Sequence, residues 1–175
     1  TPIKTLCLCI LCIIVLSLIA SLVQAMHQRE SRAQDGWWAA RRDSSGMAPD
    51  ARQYAQLAIV QVYAAPTWGW KGVVAVHPWI VFKRAGETEY NRYEVISWGG
   101  GENVRRNRNT PDGYWYGAKP RLLVEHRGAQ AEAMIPQIEA AIASWPWPDT
   151  YHAWPGPNSN TFIAHIGRQV PALKL

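Results

Sequence analysis

The chain has 175 residues, a formal net charge of +5, ten tryptophans and three cysteines. That length has room for one domain plus an appendage. Cys7, Cys9 and Cys12 all lie in the first hydrophobic segment, which excludes a disulfide, a thiolate nucleophile or a cysteine metal site from the remainder. The mildly basic balance reads as an ordinary surface. Many tryptophans sit beside Pro or Gly, as in Trp68-Gly69-Trp70 and Trp145-Pro146-Trp147-Pro148. Such tryptophans read as packed loops and not as a stacking platform for bases, so no nucleic-acid partner is expected.

Thr5 to Ala25 is apolar and uncharged, bounded by Lys4 and by His27 and Arg29. About 20 such residues span a bilayer as a helix. Val23-Gln24-Ala25 resembles a signal cleavage site, but a signal's apolar core runs roughly 7–15 residues. Residues 1–27 are therefore read as a single transmembrane anchor or signal-anchor, with the membrane as partner through Thr5–Ala25. Arg29, Arg32, Arg41 and Arg42 outweigh Lys4, which on charge favours a cytoplasmic domain; the signal-like design favours export.

Gln28 to Arg52 is polar, with Trp37-Trp38 and a Ser44-Ser45-Gly46 break, and residues 28–56 read as a connecting arm lying on the domain. The globular domain is placed at 57–175. Leu57–Ala64 is rich in β formers and precedes Pro66 and Gly69, predicting a strand. Val73–Lys83 predicts a second, in which Pro78 implies an edge, a bulge or a start at Trp79. Tyr90–Trp98 predicts a third, ended by Gly99-Gly100-Gly101. Glu102–Lys119, with Arg105, Arg106 and Arg108, reads as a solvated loop. Arg121–Glu125 predicts a fourth strand. Ala129–Trp145 carries Met134, Ile135, Ile138, Ala141, Ile142 and Trp145 at helical spacing, with Pro136 expected near its first turn.

The last stretch is the most distinctive. Trp154-Pro155-Gly156-Pro157 is rigid punctuation, Asn158-Ser159-Asn160-Thr161 offers N-cap candidates, and Phe162, Ile163, His165 and Ile166 follow at helical spacing. Ser159 thus belongs at a loop-to-helix junction, where backbone N–H groups favour negative charge. Read plainly, it is an N-cap. The architecture predicted is α+β: one N-terminal transmembrane helix, then a small antiparallel sheet with packed helices.

Trp38-Ala-Ala-Arg-Arg42-Asp43, Val60-Gln-Val-Tyr63, Val76-His77-Pro78-Trp79-Ile80, Tyr93-Glu94-Val-Ile-Ser-Trp98-Gly99 and Ala153-Trp-Pro-Gly-Pro-Asn-Ser159-Asn-Thr-Phe162 together resemble the bacterial domain-of-unknown-function 3750 family. The resemblance covers about Trp38 to Leu175 and implies a bacterial envelope protein, anchored in the inner membrane with a periplasmic domain. More distantly, His77-Pro-Trp-Ile and Asn158-Ser159-Asn160-Thr161-Phe162 resemble the circularly permuted papain-like group that includes lecithin retinol acyltransferase. There a His opens an early strand, a polar residue stands on the next, and a nucleophilic Cys begins the last helix. Here Ser159 takes the place of that Cys.

That resemblance implies a catalytic set of His77, Ser159 and Glu94. His77 would take the proton from Ser159. Glu94 or Tyr93 would orient the imidazole. Alternation lets only one of them face it, and Glu94 is preferred because a carboxylate also stabilises imidazolium. The plain alternative is a core His, a capping Ser and a solvated Glu. A metal site built from His77, His126, His152 and His165 lacks the His-x-x-x-His spacing of a helical zinc site. Gly99-Gly100-Gly101 lacks the Lys-Ser/Thr continuation of a phosphate loop, and no Gly-x-Ser-x-Gly elbow occurs. No cofactor or metal is expected. Two functions remain: a membrane-anchored accessory subunit of a larger membrane complex, with a hydrolase-like fold put to non-catalytic use, or an envelope serine hydrolase or acyltransferase.

Overall fold

The structure is a computed structural model describing residues 2–32 and 36–175, with side chains described at 4–27 and 36–175. The apolar N-terminal run forms α1 (Pro2–Arg32). Among the described residues it is the one helix long and apolar enough to cross a membrane, over Lys4–His27. It extends past Ala25, so the expected start of the arm at Gln28 still belongs to the helix. Residues 33–35, and the side chains of Arg29 and Arg32, lie outside the described residues.

Five antiparallel strands follow: β1 (Ile59–Pro66), β2 (Val76–Lys83), β3 (Asn91–Val95), β4 (Val104–Arg106) and β5 (Arg121–Arg127). Their order across the sheet is β4-β3-β2-β1-β5. A 3-10 turn, Gly69–Val73, joins β1 to β2 and takes up the first residues predicted for the second strand. Pro78 sits in an interior strand, yet β2 pairs with β3 only over Ile80–Phe82 while pairing with β1 from Val76 onward. Its surroundings are locally an edge, where a missing N–H costs nothing.

β4 corrects the loop predicted at Glu102–Lys119. Three residues with two arginines show no alternating pattern. The strand forms because β3 offers it a ladder, with Arg106 opposite Tyr93 and the Arg106 guanidinium donating to Asn91 Oδ1 at 2.6 Å.

Alternation divides the sheet residues between two cores. Val60, Val62, Ile80, Phe82 and Val95 face one layer, with α2 (Ala129–Ala143) and α3 (Ser159–Gln169) packed over them through Ile135, Ile138, Phe162 and Ile166. Ile59, Tyr63, Ala65, Trp79 and Val81 face the other, covered by Trp115 and by Met47, Ala48 and Ala51 of the arm. Pro136 lies inside α2 and not in its first turn. A proline there removes an N–H from the helical ladder, and Gln137 Nε2 donates to the Ala133 carbonyl just before it at 3.1 Å.

Asp112 pins the arm down. One carboxylate oxygen accepts from Ser44 Oγ at 2.8 Å, and the other accepts from the backbone N–H groups of Met47 (2.6 Å) and Ala48 (3.1 Å).

Candidate functional site

His77 is the second residue of β2, and its side chain turns toward the arm-covered layer. The imidazole lies parallel to the Trp115 indole, 3.7 Å between ring centroids, and only 3% of the residue is exposed. On β3, Arg92 and Glu94 are two apart and therefore share a face. His77 Nε2 donates to Glu94 Oε2 at 2.8 Å, and Arg92 donates to the same oxygen at 2.8 Å. Asn109 Nδ2 donates to the other oxygen, Oε1, at 2.7 Å.

Arg92 in turn lies over the Trp79 ring at 4.1 Å and donates to the Thr110 carbonyl at 2.6 Å. Trp79 Nε1 donates to the Pro111 carbonyl at 2.7 Å. The segment after β4 thus folds back over this face and closes it.

The charges follow from this packing. Burial pushes the Glu94 carboxyl up, but the hydrogen bond from His77 and the charge of Arg92 outweigh it and hold the group at about 2. Burial pulls His77 below its ordinary value, although Glu94 works the other way. Burial lowers Arg92 too, again against Glu94. At neutral pH the cluster is a carboxylate receiving three donors, with a neutral imidazole whose proton sits on Nε2.

Ser159 is brought elsewhere. It is the first residue of α3, and the cap is Asn158, not Ser159. Asn158 Oδ1 accepts from the N–H groups of Asn160 (3.0 Å) and Thr161 (3.1 Å), while Thr161 Oγ1 accepts from the Asn158 N–H at 2.7 Å, a reciprocal capping box. Gly156, at φ 126°, lets the preceding loop lie on this cap; a Cβ there would meet Thr161 Cγ2 at 2.9 Å. Ser159 is buried on the side of α3 that carries Phe162, Ile163 and Ile166, all packed on the helix-covered layer. Asn160 Nδ2 donates to the Val76 carbonyl at 3.1 Å, tying the start of α3 to the residue before His77.

The structure therefore joins His77 to Glu94. Among the described residues it forms no hydrogen bond between Ser159 and either of them; the partners of Glu94 are His77, Arg92 and Asn109. Tyr93 faces the helix layer, stacked on Phe82 at 5.7 Å. His126 Nε2 donates to the Leu173 carbonyl and His165 Nε2 to the Ala141 carbonyl, far from one another in use. Among the described residues no group of three metal-ligating side chains comes together.

Sequence reasoning missed Arg92, Asn109 and Trp115. Arg92 carried a usable signal, since it alternates with Glu94 on one strand. Asn109 and Trp115 lie in irregular backbone, where no period marks a facing side chain.

Residues 57–175 match the model of a family described as "Protein of unknown function (DUF3750)". No curated protein and no solved structure matches the chain.

Proposed function

The chain belongs to the DUF3750 family, whose model spans about two-thirds of it, and we propose that it is a membrane-anchored, non-catalytic interaction module. In this reading α1 spans the bacterial inner membrane once, the domain stands on the periplasmic side, and the protein serves as an accessory subunit of a larger membrane complex. The scaffold is a permuted papain-like one in which the nucleophile's place has passed to a serine. The element order supports it: a His opening β2, a carboxylate on β3, and Ser159 starting the last long helix.

The observation that carries the non-catalytic reading is the state of His77. A general base must reach the hydroxyl proton it abstracts. Here the imidazole is stacked on Trp115 and bonded through Nε2 to Glu94 on the arm side of the sheet, whereas Ser159 heads a helix packed on the other side, and no hydrogen bond joins the two. The buried Arg92 also neutralises the carboxylate that an imidazolium would need. Meanwhile no residue of the 24-residue apolar span is buried within the chain itself, leaving α1 up to Gln24 open to lipid or to partner helices.

The test pairs two measurements on the full chain in membranes. A serine-directed fluorophosphonate probe is expected to leave the protein unlabelled, and Ser159→Ala to retain its co-purifying subunits. Replacing α1 by an unrelated apolar span is expected to release them. Labelling that disappears in Ser159→Ala would overturn this reading in favour of the serine hydrolase.

A further inference from the structure

We propose that the domain does not hang free below its anchor: an aromatic rim around the foot of α1 inserts into the headgroup layer of the bilayer. This rests on α1 being a transmembrane span.

Of the described side chains of α1, all are exposed except Ala25 and Met26. These lie at the domain end of the span, and α1 packs against the Gly69–Val73 turn. The membrane boundary at His27 therefore falls level with this turn. Trp70, within the turn, is 45% exposed; Val74 and Val76, which follow it, are 75% and 42% exposed. Val74 is thus left largely uncovered by the domain, and Trp70 and Val76 partly so.

The patch continues from there. Trp68, at the start of the turn, packs edge-on against Tyr116, with ring centroids 6.5 Å apart. Tyr116 also contacts Trp37 (6.1 Å) and Trp98 (6.3 Å). Trp38, beside Trp37, is 70% exposed. Three strand ends meet here: the end of β1, the start of β2 and the end of β3. So four of the six exposed indoles, Trp37, Trp38, Trp70 and Trp98, gather at the end of the sheet that α1 adjoins.

Their polar edges are also arranged for an interface. Trp98 Nε1 donates to Tyr116 Oη at 3.1 Å, and Arg42, lying over the Tyr116 ring at 4.4 Å, donates to the carbonyls of Trp37 and Ala40. Indoles and phenols with an apolar body and a satisfied or water-facing polar edge concentrate at headgroup depth. An exposed Lys71 stands in the same turn, where an anionic headgroup would meet it. A contiguous apolar patch of this kind is uncommon on a freely soluble surface. Continuity with the span identifies lipid as what covers it.

The experiment uses the full chain with Cys7, Cys9 and Cys12 replaced by Ser, carrying one new cysteine labelled with an environment-sensitive fluorophore. The positions are Leu16→Cys in the span, Trp70→Cys and Val74→Cys in the rim, and Thr88→Cys in the β2–β3 turn at the opposite end of the sheet. Each is reconstituted into phosphatidylethanolamine–phosphatidylglycerol vesicles with ordinary or brominated acyl chains. Emission is expected to be lost to brominated lipid at 16, 70 and 74 and retained at 88. Quenching at 16 with none at 70 or 74 would overturn the rim and leave the anchor standing. Absence of quenching at 16 would overturn the anchor and the rim with it. Val74→Cys removes no packed side chain, so it reports even if Trp70→Cys fails to fold.

Discussion

Replacing Glu94 by glutamine keeps the shape of the side chain and removes its charge. Arg92 and Glu94 are both about 1% exposed in their side chains, so the guanidinium would lose its directly bonded counter-charge and keep only the more distant Asp112. Removing one partner of a buried pair costs about 3–5 kcal/mol, because a charge is left uncompensated. A second route gives the same size. A carboxyl held at about 2 instead of its ordinary 4.5 favours the folded state by about 3 kcal/mol at neutral pH.

The sign is fixed by the direction. Glu94 lies lower in the folded state, so its contribution is present above 4.5 and is lost as pH falls toward about 2. Urea unfolding of the detergent-solubilised full chain, followed by tryptophan fluorescence, measures it. Glu94→Gln is expected to lose about 3 kcal/mol at pH 7, and its deficit against the native chain should close as pH falls through that window. A pH 7 deficit below about 1 kcal/mol, the scale of an exposed pair, would refute the reasoning, as would a deficit indifferent to pH. Adding Arg92→Met to Glu94→Gln should cost less than the two single changes summed, since the orphaned cation goes too.

Asp112→Ala should release the arm: hydrogen exchange at the Met47 and Ala48 amides should accelerate while β1 stays protected, with a loss of about 2–4 kcal/mol from the orphaned donors. Lys83 is buried, and its ammonium donates to the carbonyls of Ala55, Leu57 and Glu87 at 3.1, 2.7 and 3.1 Å; Lys83→Met should cost about 2 kcal/mol or more in the same urea titration, and an unchanged midpoint would show that those carbonyls find other donors. Asn158→Ala should lower stability by about 1–2 kcal/mol as a lost cap, whereas Ser159→Ala should stay within about 0.5 kcal/mol. The reverse order would mean that the hydroxyl has a structural role that its surroundings do not reveal.

Most of the fold was legible because its signals are local. β1, β2, β3 and β5 announce themselves through β-branched and aromatic runs closed by Gly or Pro, and α2 through apolar residues at helical spacing. The capping residues before Phe162 mark α3 to within one position. β4 was not legible, since Val104-Arg105-Arg106 becomes a strand only by pairing with Tyr93, Glu94 and Val95. Nor was the position of Pro136, which the helix tolerates because Ala131, Met134, Ile135 and Ile138 bury on both sides of it.

The site divides in the same way. The pairing of His77 with Glu94 is an expectation from the permuted papain-like resemblance, alternation serving only to prefer Glu94 over Tyr93. What surrounds the pair does not follow. Which layer closes over a sheet face is decided by chain entering from elsewhere, here Asn109 and Trp115 after β4 and the arm pinned by Asp112.

Trp115 links the two halves of the molecule's chemistry. Below, it stacks on His77; above, it meets Tyr116 at 5.0 Å and Trp98 at 6.0 Å, which belong to the rim. An imidazole fixed by Glu94, itself fixed by Arg92, is a floor for that indole, so on the proposed non-catalytic reading His77 supports an aromatic surface. His77→Phe keeps a flat ring under Trp115 but gives up the hydrogen bond to Glu94. It should lower stability while leaving brominated-lipid quenching at position 74 intact. His77→Ala removes the floor as well and should weaken that quenching. If His77→Ala folds and quenching at 74 is unchanged, the support role is refuted, and the buried His–Glu–Arg network serves only to close the core beneath it.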